Sequence, residues 1–523
     1  MTRSRLTQLL QRAYQIAQTS AQTQMPLDEV SGLWAERLSR RRVLQRGVAI
    51  AGILTTPSQA LPQLPAAARS GSADTPVLIV GAGIAGLTAA YRLRQAGVAV
   101  QVIEASHRVG GRLRSLSNLP NRPGTVEMGG EFIDTHHTHV RSLATELGLE
   151  LADLREADVG LEPEILYFQG QTISNAAVVE AFSPLAERIS QDLMRLGDRD
   201  LSYRTHNPHA LQLDRLSLAE YLASAPIDPV IDQLVRVAYI TEFGRDAEEQ
   251  SCLNMLFLIG AEVGKWSTYG ISDERWHVVG GNDRIPQALA TAVGDAIEMG
   301  TALESIRATA DGRYRVSVRQ GSTSRDRTYD RILLTVPFSV LRQVNLDVEL
   351  PPVKRQAISQ LGYGTSTKLA VPFRERIWRT RYHSTISIYT DLEFQNTWES
   401  ARYRVGTNGW VTDLRAGKQG LVLGAGNPEA HAKALSKSLE PLFPGIGTVQ
   451  QPQAVRAFWA AEPYALGSYS CYLPGQWTAL SGSEVERVGN LWFAGEHCSV
   501  GSQGYMNGAV ETAEAAARSM VQV

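Results

Sequence analysis

Three glycines carry the clearest chemical signal in this chain, because Gly81, Gly83 and Gly86 form a GxGxxG pattern. In such a pattern the first glycine permits a tight turn, the second lets the backbone approach a pyrophosphate, and the third lets a helix pack closely on a strand. The helix N-terminus offers free N–H groups and the positive end of a dipole to phosphates. The spacing therefore predicts a dinucleotide-binding turn.

The elements around the glycines agree with this prediction. Residues 77–80 are a short apolar run that predicts a strand, 87–95 predict a helix, and 98–103 predict a second strand. Glu104 ends that strand about 20 residues after Gly83, where an acid accepts hydrogen bonds from ribose hydroxyls. The combination predicts an α/β fold with a Rossmann-like domain.

The segments that follow resemble the flavin amine oxidases, a family that includes monoamine oxidases, polyamine oxidases and L-amino-acid oxidases. Residues 105–114 read ASHRVGGRLR, and the resemblance implies that Arg112 reaches the phosphates of FAD. Residues 126–134 read VEMGGEFID. They are similar to the family strand whose glycines, here Gly129 and Gly130, pass against the isoalloxazine ring.

Two later blocks resemble the same family. Residues 363–368 read YGTSTK and place Lys368 where the family lysine holds a water against flavin N5. Residues 459–475 place Tyr469 on one wall of an aromatic substrate cage. The resemblance also implies a strand ending at Ile306 whose backbone meets the adenine.

The C-terminal block is the most specific. Residues 495–497 read GEH, and residues 501–511 read GSQGYMNGAVE. The resemblance places Glu496 on the ribose or pyrophosphate side of FAD. It places the backbone N–H of Met506 near flavin N1 and O2, and it makes Tyr505 the second wall of the cage.

The cysteines indicate how the flavin is attached. In covalent members of the family, the residue before the first cage tyrosine is a cysteine bonded to the flavin, whereas here it is Ser468. Cys471 is three positions away, so non-covalent FAD is expected. The three cysteines of the chain are far apart in sequence and predict neither a disulfide scaffold nor a zinc site.

The resemblance implies a FAD-dependent oxidase of a primary amine or an L-amino acid. Hydride would pass to flavin N5, the imine would hydrolyse to a carbonyl product and ammonia, and O2 would be reduced to H2O2. A flavin desaturase or isomerase of an apolar substrate is the alternative, because it shares the cofactor domain. Peroxide release on a panel of amines and amino acids separates the two interpretations.

Two acidic residues indicate what kind of substrate to expect. Asp134 falls where polyamine oxidases carry a pocket acid, and Glu131 lies close to it, so the pair predicts a basic substrate such as arginine, lysine or a polyamine. The alternative is a surface acid and a helix N-cap. Many L-amino-acid oxidases carry an arginine in this segment, where Glu131-Phe132 stands here. An amino-acid substrate would need another arginine, such as Arg245.

A cluster of imidazoles follows Asp134, because His136, His137 and His139 lie within five residues of it. Three imidazoles and a carboxylate can bind a metal, but this spacing matches no known metal motif. We therefore interpret the segment as a polar turn and helix cap, and we predict no metal.

The composition and net charge limit the class of protein and the kinds of partner that are expected. The chain has 523 residues, a formal net charge of −2 and 43% hydrophobic residues, which is typical of an ordinary globular enzyme. This charge favours no nucleic-acid or anionic-membrane partner. The expected partners are a small amine or amino acid and O2, with a homo-oligomer left open.

The N-terminal residues differ from the rest. Residues 39–45, SRRRVLQ, resemble a twin-arginine export signal, and an apolar run at 47–54 is too short to span a bilayer. Small-x-small sequences at 58–60 and 66–68 offer cleavage sites. The segment predicts export to the periplasm or beyond, with an amphipathic surface helix as the alternative.

The blocks divide the chain into a discontinuous cofactor domain and a second domain. We predict a signal and linker at 1–70, a Rossmann-like FAD-binding domain from 74–150, 270–342 and 455–523, and an α+β substrate-binding domain from 151–269 and 343–454. Within the FAD-binding domain, 314–318 and 331–336 are expected to be paired strands.

Overall fold

The computed structural model describes residues 75–117, 124–197, 201–260, 272–400, 402–403 and 406–522. The twin-arginine segment and the linker lie outside these ranges, so export stays a prediction. Among the described residues, no helix is both long enough and apolar enough to cross a membrane.

A five-stranded, fully parallel sheet supports the glycine turn. Its strands lie in the spatial order Leu491–Phe493, Ile332–Leu334, Val77–Val80, Val100–Glu104 and Ile297–Met299. The central strand is fully apolar and buried, as expected for a parallel strand covered on both faces. The sheet confirms the predicted α/β class.

The register of this sheet brings distant residues to one edge. Val80 lies opposite Ile103 on one side and Leu334 on the other, so these three strands end at nearly the same level. The residues that follow them therefore meet at the carboxyl edge of the sheet, where α/β proteins place their ligands.

The helix after the glycine turn is longer than predicted. It spans Ile84–Gln95, with Gly83 as its N-cap and no side-chain cap. It ends before Gly97, whose φ of 76° is left-handed as expected of a glycine stop. The helix packs against the C-terminal helix Met506–Val521, and its apolar residues share one core with the parallel sheet.

A mixed seven-stranded sheet carries Lys368. Its order is Val455–Phe458, Thr367–Phe373, Gly409–Arg415, Asn396–Ser400, Ile388–Thr390, Ile165–Phe168 and Gln171–Thr172. The neighbours are antiparallel except Ile388–Thr390 and Ile165–Phe168. Two further antiparallel pairs join Ser115–Leu116 to Val126–Glu127 and Leu151–Asp153 to Trp276–Val278.

A four-stranded sheet corrects one expectation. Its order is Thr323–Tyr329, Tyr314–Gln320, Thr301–Ala308 and Asn345–Asp347. The predicted pairing of 314–318 with 331–336 is wrong, because Ile332–Leu334 lies in the parallel sheet. The reason is burial: Tyr314–Gln320 has one buried face, whereas Ile332–Leu334 is buried throughout.

Helices cover the sheets and build the region between 175 and 260. In the described ranges the remaining α-helices are Thr138–Glu146, Asn175–Leu196, Pro208–Asp214, Leu218–Ala223, Pro229–Phe243, Cys252–Gly260, Arg284–Val293, Phe338–Leu341, Pro352–Gln360, Ile377–Thr380, Gly417–Gly424, Pro428–Leu439, Ile446–Val449 and Gln476–Leu480. Short 3-10 helices are Glu156–Asp158, Gly294–Ala296, Trp459–Ala461 and Glu496–Cys498.

We predict that Gly86→Ala destabilises the protein while Gly83→Ala does not. A Cβ on Gly86 would lie 1.9 Å from the Gly81 carbonyl oxygen, whereas a Cβ on Gly83 meets no atom within 4 Å. The first change should lower the free energy of unfolding by about 2 kcal/mol or more. The second should cost under about 1 kcal/mol, as an N-cap change. Urea unfolding of the cofactor-free protein measures both, and equal losses would contradict the packing role of Gly86.

Candidate active site

A cavity of about 490 Å³ lies at the carboxyl edge of the parallel sheet. Its wall includes residues that follow four of the five strands: Gly81, Glu104, Thr335 and Gly495. Most of the predicted cofactor residues also line it, namely Gly81, Gly83, Glu104, Arg112, Gly130, Glu496 and Met506. The cavity is therefore where the sequence placed a dinucleotide.

The glycine turn leaves room for phosphates. Gly83 is the N-cap of its helix and has no atom within 4 Å of the position of a Cβ. The first helical N–H groups have no side-chain cap, which suits an anion. Glu104 is held by two backbone N–H groups, from Ala82 at 2.8 Å and from Ser106 at 2.9 Å. These bonds fix its carboxylate beside the cavity.

Arg112 and Glu496 form the main ion pair of the cavity wall. Arg112 Nη1 lies 2.8 Å from Glu496 Oε1 and also donates to the Ser468 carbonyl at 3.0 Å. The other oxygen of Glu496 accepts from Ser470 Oγ at 2.7 Å and from the Gly504 N–H at 2.9 Å. Burial favours the neutral acid, but the Arg112 charge and the hydrogen bonds lower the pKa of Glu496 below its usual value.

Gly129 and Gly130 lie where neighbouring atoms approach the backbone closely. A Cβ on Gly129 would lie 1.8 Å from the Arg112 carbonyl oxygen, and one on Gly130 would lie 3.0 Å from the Met506 side chain. Met506 begins the C-terminal helix, whose N-cap Tyr505 supplies no side-chain cap. The positive end of this helix therefore faces the cavity.

Three predicted cofactor residues do not line the large cavity: Gly86, Gly129 and Ile306. Gly129 lines a neighbouring small pocket together with Arg112, Gly130 and Lys368. Gly86 lies under the glycine turn and acts through packing. Ile306 is completely buried in the core. The part of its strand that borders the cavity is Thr301 to Glu304.

Lys368 and Glu131 form a buried ion pair, which corrects one substrate prediction. Lys368 Nζ lies 2.7 Å from Glu131 Oε2 and donates to the Gly129 carbonyl at 2.8 Å. Trp398 Nε1 donates to Glu131 Oε1 at 2.9 Å. Both oxygens of Glu131 are thus held by protein groups, because a carboxylate only 4% exposed needs such partners. Glu131 is a partner of Lys368 rather than a receptor for a substrate cation.

Asp134 is also held internally. It is 2% exposed, and its Oδ1 accepts from Ser272 Oγ at 2.8 Å, from Asp273 N–H at 2.9 Å and from Glu274 N–H at 2.7 Å. The carboxylate ties the segment at 272–274 to the helix entry. Asp134 does not line the large cavity, and its role as a substrate-binding acid stays a prediction.

The histidine cluster follows from this arrangement. Ligand atoms of Asp134, His136 and His137 lie within 4.8 Å of one another, while His139 points away and contacts Glu514 at 3.0 Å. The Asp134 N–H donates to His137 Nδ1 at 3.1 Å, so a neutral His137 carries its proton on Nε2, toward Asp134 Oδ2 at 3.5 Å. A metal-binding imidazole has the opposite arrangement, with a proton on the non-ligating nitrogen. The geometry favours a hydrogen-bonded network.

The two cage tyrosines line a second, smaller cavity. Tyr505 borders both this cavity and the large one, and the Tyr469 ring faces it from another side. Tyr469 Oη donates to the Thr241 carbonyl at 2.8 Å, and Tyr505 Oη donates to Glu242 Oε1. Both rings are therefore fixed by their hydroxyl groups.

Sequence reasoning missed Glu242. It lies in the last turn of the helix Pro229–Phe243 and is 7% exposed. The available signal was an acid inside an apolar stretch, VAYITEF at 237–243. Such an acid needs a buried partner or a ligand. Trp398 was missed as well, and no local pattern marks it.

The sequence can now be compared with known proteins. The family described as flavin containing amine oxidoreductase matches residues 84–521. The chain belongs to this family.

Individual relatives agree with this flavin amine oxidase assignment. A flavin-containing amine oxidase of Oncorhynchus mykiss is 24% identical over 465 residues, which covers 85% of each chain. An L-amino acid dehydrogenase of Synechocystis is 24% identical over 483 residues, covering 87% of this chain and 97% of its own. The structure of a cyclohexylamine oxidase from Brevibacterium oxydans shares the fold, with a TM-score of 0.73 at 21% identity over 86% of this chain and 99% of its own.

This flavin amine oxidase binds FAD without a covalent bond. The large cavity, the uncapped helix N-termini and the room at Gly83 fit a dinucleotide. Ser468 stands where the covalent members carry cysteine. Cys471 is fully buried, contacts the Asn254 amide, and has a pKa raised to about 12 by burial, so it is not a reactive thiol.

We predict that Lys368→Met destabilises the protein and that a second change, Glu131→Gln, recovers part of the loss. The single variant leaves Glu131 buried without its cation, which should cost about 3 kcal/mol. The double variant removes the charge as well. Urea unfolding of both single variants and the double variant gives the coupling energy. Strictly additive losses would contradict the ion pair.

We also predict a pH-dependent role for Glu496. Because its pKa in the folded protein lies below its usual 4.5, its stabilising contribution is fully present above that value and is lost as the pH falls through the folded pKa. The Tm difference between wild type and Glu496→Gln should therefore be largest near neutral pH and shrink in acid. Thermal unfolding from neutral to acid pH measures it. A difference independent of pH would show that the Glu496 charge contributes nothing.

Proposed function

We propose that this flavin amine oxidase oxidises a primary amine or an L-amino acid that carries a second positive charge, and that O2 reoxidises it with release of H2O2. The supporting observation is the position of Tyr469 and Tyr505. Both line the small cavity, and Tyr505 also borders the large one. A substrate between the two rings would lie next to the cofactor.

The side chains around this position orient the substrate and exclude water. The hydroxyls of both tyrosines are engaged, so their ring faces remain for the substrate. Tyr469 and Tyr505 are at most 6% exposed, which keeps solvent from the amine carbon. When bound, FAD supplies the two-electron redox chemistry. The chain's contribution is therefore positioning and a dry, aromatic environment.

The preference for a basic substrate rests on different residues from those predicted. Glu131 and Asp134 are held by internal partners, as described above. Glu242 is the carboxylate that lines the small cavity.

The test is anaerobic mixing of the purified yellow holoprotein with a panel of amines and L-amino acids. Substrates should bleach the visible flavin absorbance, and air should restore it with release of H2O2. Tyr505→Ala should stay yellow but reduce about 100-fold more slowly, because one wall that orients the amine is lost.

Two outcomes would overturn parts of this proposal. A holoprotein that no amino compound bleaches would remove amine oxidation. Bleaching that a quinone reverses but O2 does not would leave amine oxidation intact and make the enzyme a dehydrogenase, as one relative is named.

A further inference from the structure

We propose that Glu131 tunes the reduction potential of the bound FAD, because it neutralises Lys368 and so withholds that positive charge from the flavin. Glu131 is then a positioning residue that acts through Lys368. The inference requires bound FAD, but it does not depend on which amine is oxidised.

The three N–H groups of the Lys368 ammonium all have acceptors in the protein. Its Nζ donates to Glu131 Oε2 at 2.7 Å. It also donates to the carbonyls of Gly129 at 2.8 Å and of Glu127 at 3.3 Å. A neutral amine has only two N–H groups, whereas an ammonium has three. The arrangement therefore selects the charged form of Lys368, and Glu131 is the acceptor that carries the opposite charge.

Trp398 holds the other oxygen of Glu131. Its Nε1 donates to Glu131 Oε1 at 2.9 Å, and its ring centroid lies 5.2 Å from Lys368 Nζ. The indole N–H attracts the carboxylate, and the ring face attracts the ammonium. All three side chains belong to residues at most 6% exposed. The absence of bulk water strengthens the attraction between the two charges, so they stay together.

Lys368 lies on the cofactor side of this pair. It lines a pocket of about 30 Å³, here called the lysine pocket, together with Arg112, Gly129 and Gly130. Arg112 and Gly130 also line the large cavity, so the lysine pocket adjoins the place of the dinucleotide. Among the described residues, Glu131 lines neither space. Its carboxylate therefore acts on the flavin through Lys368.

The other acid beside Lys368 is committed to different partners. The Glu127 carboxylate accepts from Ser115 Oγ at 2.9 Å and from the Asn282 N–H at 2.8 Å, and it lies 2.9 Å from His277 Nε2. The contact of Glu127 with Lys368 is made by its backbone carbonyl. Glu131 is therefore the carboxylate that balances the lysine.

The second cation of the lysine pocket is paired in the same way. Arg112 lies 2.8 Å from Glu496. The remaining described residues of the wall carry no formal charge: Gly129, Gly130, Thr241, Ser366, Leu414, Trp459, Ser468 and Tyr469. Each of the two cations thus has a carboxylate of its own. Loss of the Glu131 charge would leave one uncompensated positive charge beside the cofactor.

Such a charge changes the reduction potential of a flavin. In mildly alkaline solution, reduction of FAD takes up two electrons and one proton, so the reduced form carries one additional negative charge. A nearby cation stabilises that form and raises the potential, whereas a carboxylate opposes it. The pairing with Glu131 therefore holds the potential below the value that an unpaired Lys368 would give.

The experiment measures the midpoint potential of the holoprotein by dithionite reduction against a reference dye, which requires no amine substrate. Glu131→Gln keeps a carbonyl acceptor for Lys368 but removes the charge. It should raise the potential by about 30 mV or more, which is a tenfold change in the equilibrium constant of a two-electron reduction. Lys368→Met should lower the potential, and the double variant should lie between the two single variants.

The matched control is Trp398→Phe, which disturbs the same cluster without changing its charge. It removes the N–H that holds Glu131 Oε1 and should change the equilibrium constant less than about threefold. Glu131→Asp keeps the charge on a shorter side chain, so its potential should stay closer to wild type than that of Glu131→Gln. If Glu131→Gln does not retain FAD, the double variant is compared with Lys368→Met and should have the higher potential.

Two results would overturn the inference. An unchanged or lower potential in Glu131→Gln, or in the double variant relative to Lys368→Met, would show that the Glu131 charge does not act on the flavin. An equal shift in Trp398→Phe would show that packing rather than charge changes the potential. Neither result depends on amine oxidation. A holoprotein that no amino compound bleaches would remove the proposed function and leave this measurement in place.

Discussion

The buried contact between Arg112 and Glu496 holds the active site together. It joins residues 384 positions apart, one next to the glycine turn and one in the C-terminal block. The same carboxylate accepts hydrogen bonds from Ser470 and Gly504, which directly neighbour the two cage tyrosines. One charge pair therefore couples the cofactor cavity to the aromatic walls. A buried carboxylate requires these partners, and the partners fix the segments that carry the cage.

The same requirement explains the partners of the other buried acids near the cavities. Glu131 and Asp134 are buried and each is held on several sides by protein donors. Their charge is neutralised or delocalised locally, so they stabilise the fold around the flavin-facing strand. Glu242 is buried as well, but it lies in the wall of the cavity between the tyrosines.

The cofactor cavity and the small cavity are built from different parts of the fold. The parallel sheet and its glycine turn hold the cofactor, and the residues that do so come from well-separated parts of the chain. The small cavity is lined in part by the helices Pro229–Phe243 and Cys252–Gly260, and Lys368 lies in the seven-stranded sheet. Relatives at about 24% identity match this chain over most of its length.

The sequence by itself determined the parts whose physics is local. The spacing of Gly81, Gly83 and Gly86 set the turn, and the blocks around Lys368, Tyr469 and Tyr505 identified the chemistry. Only the tertiary structure decided which groups hold each buried acid, which lysine neutralises Glu131, and which strands pair. Those outcomes depend on contacts between residues more than 200 positions apart. No local pattern encodes such partners, because a buried charge selects them only once the chain is folded.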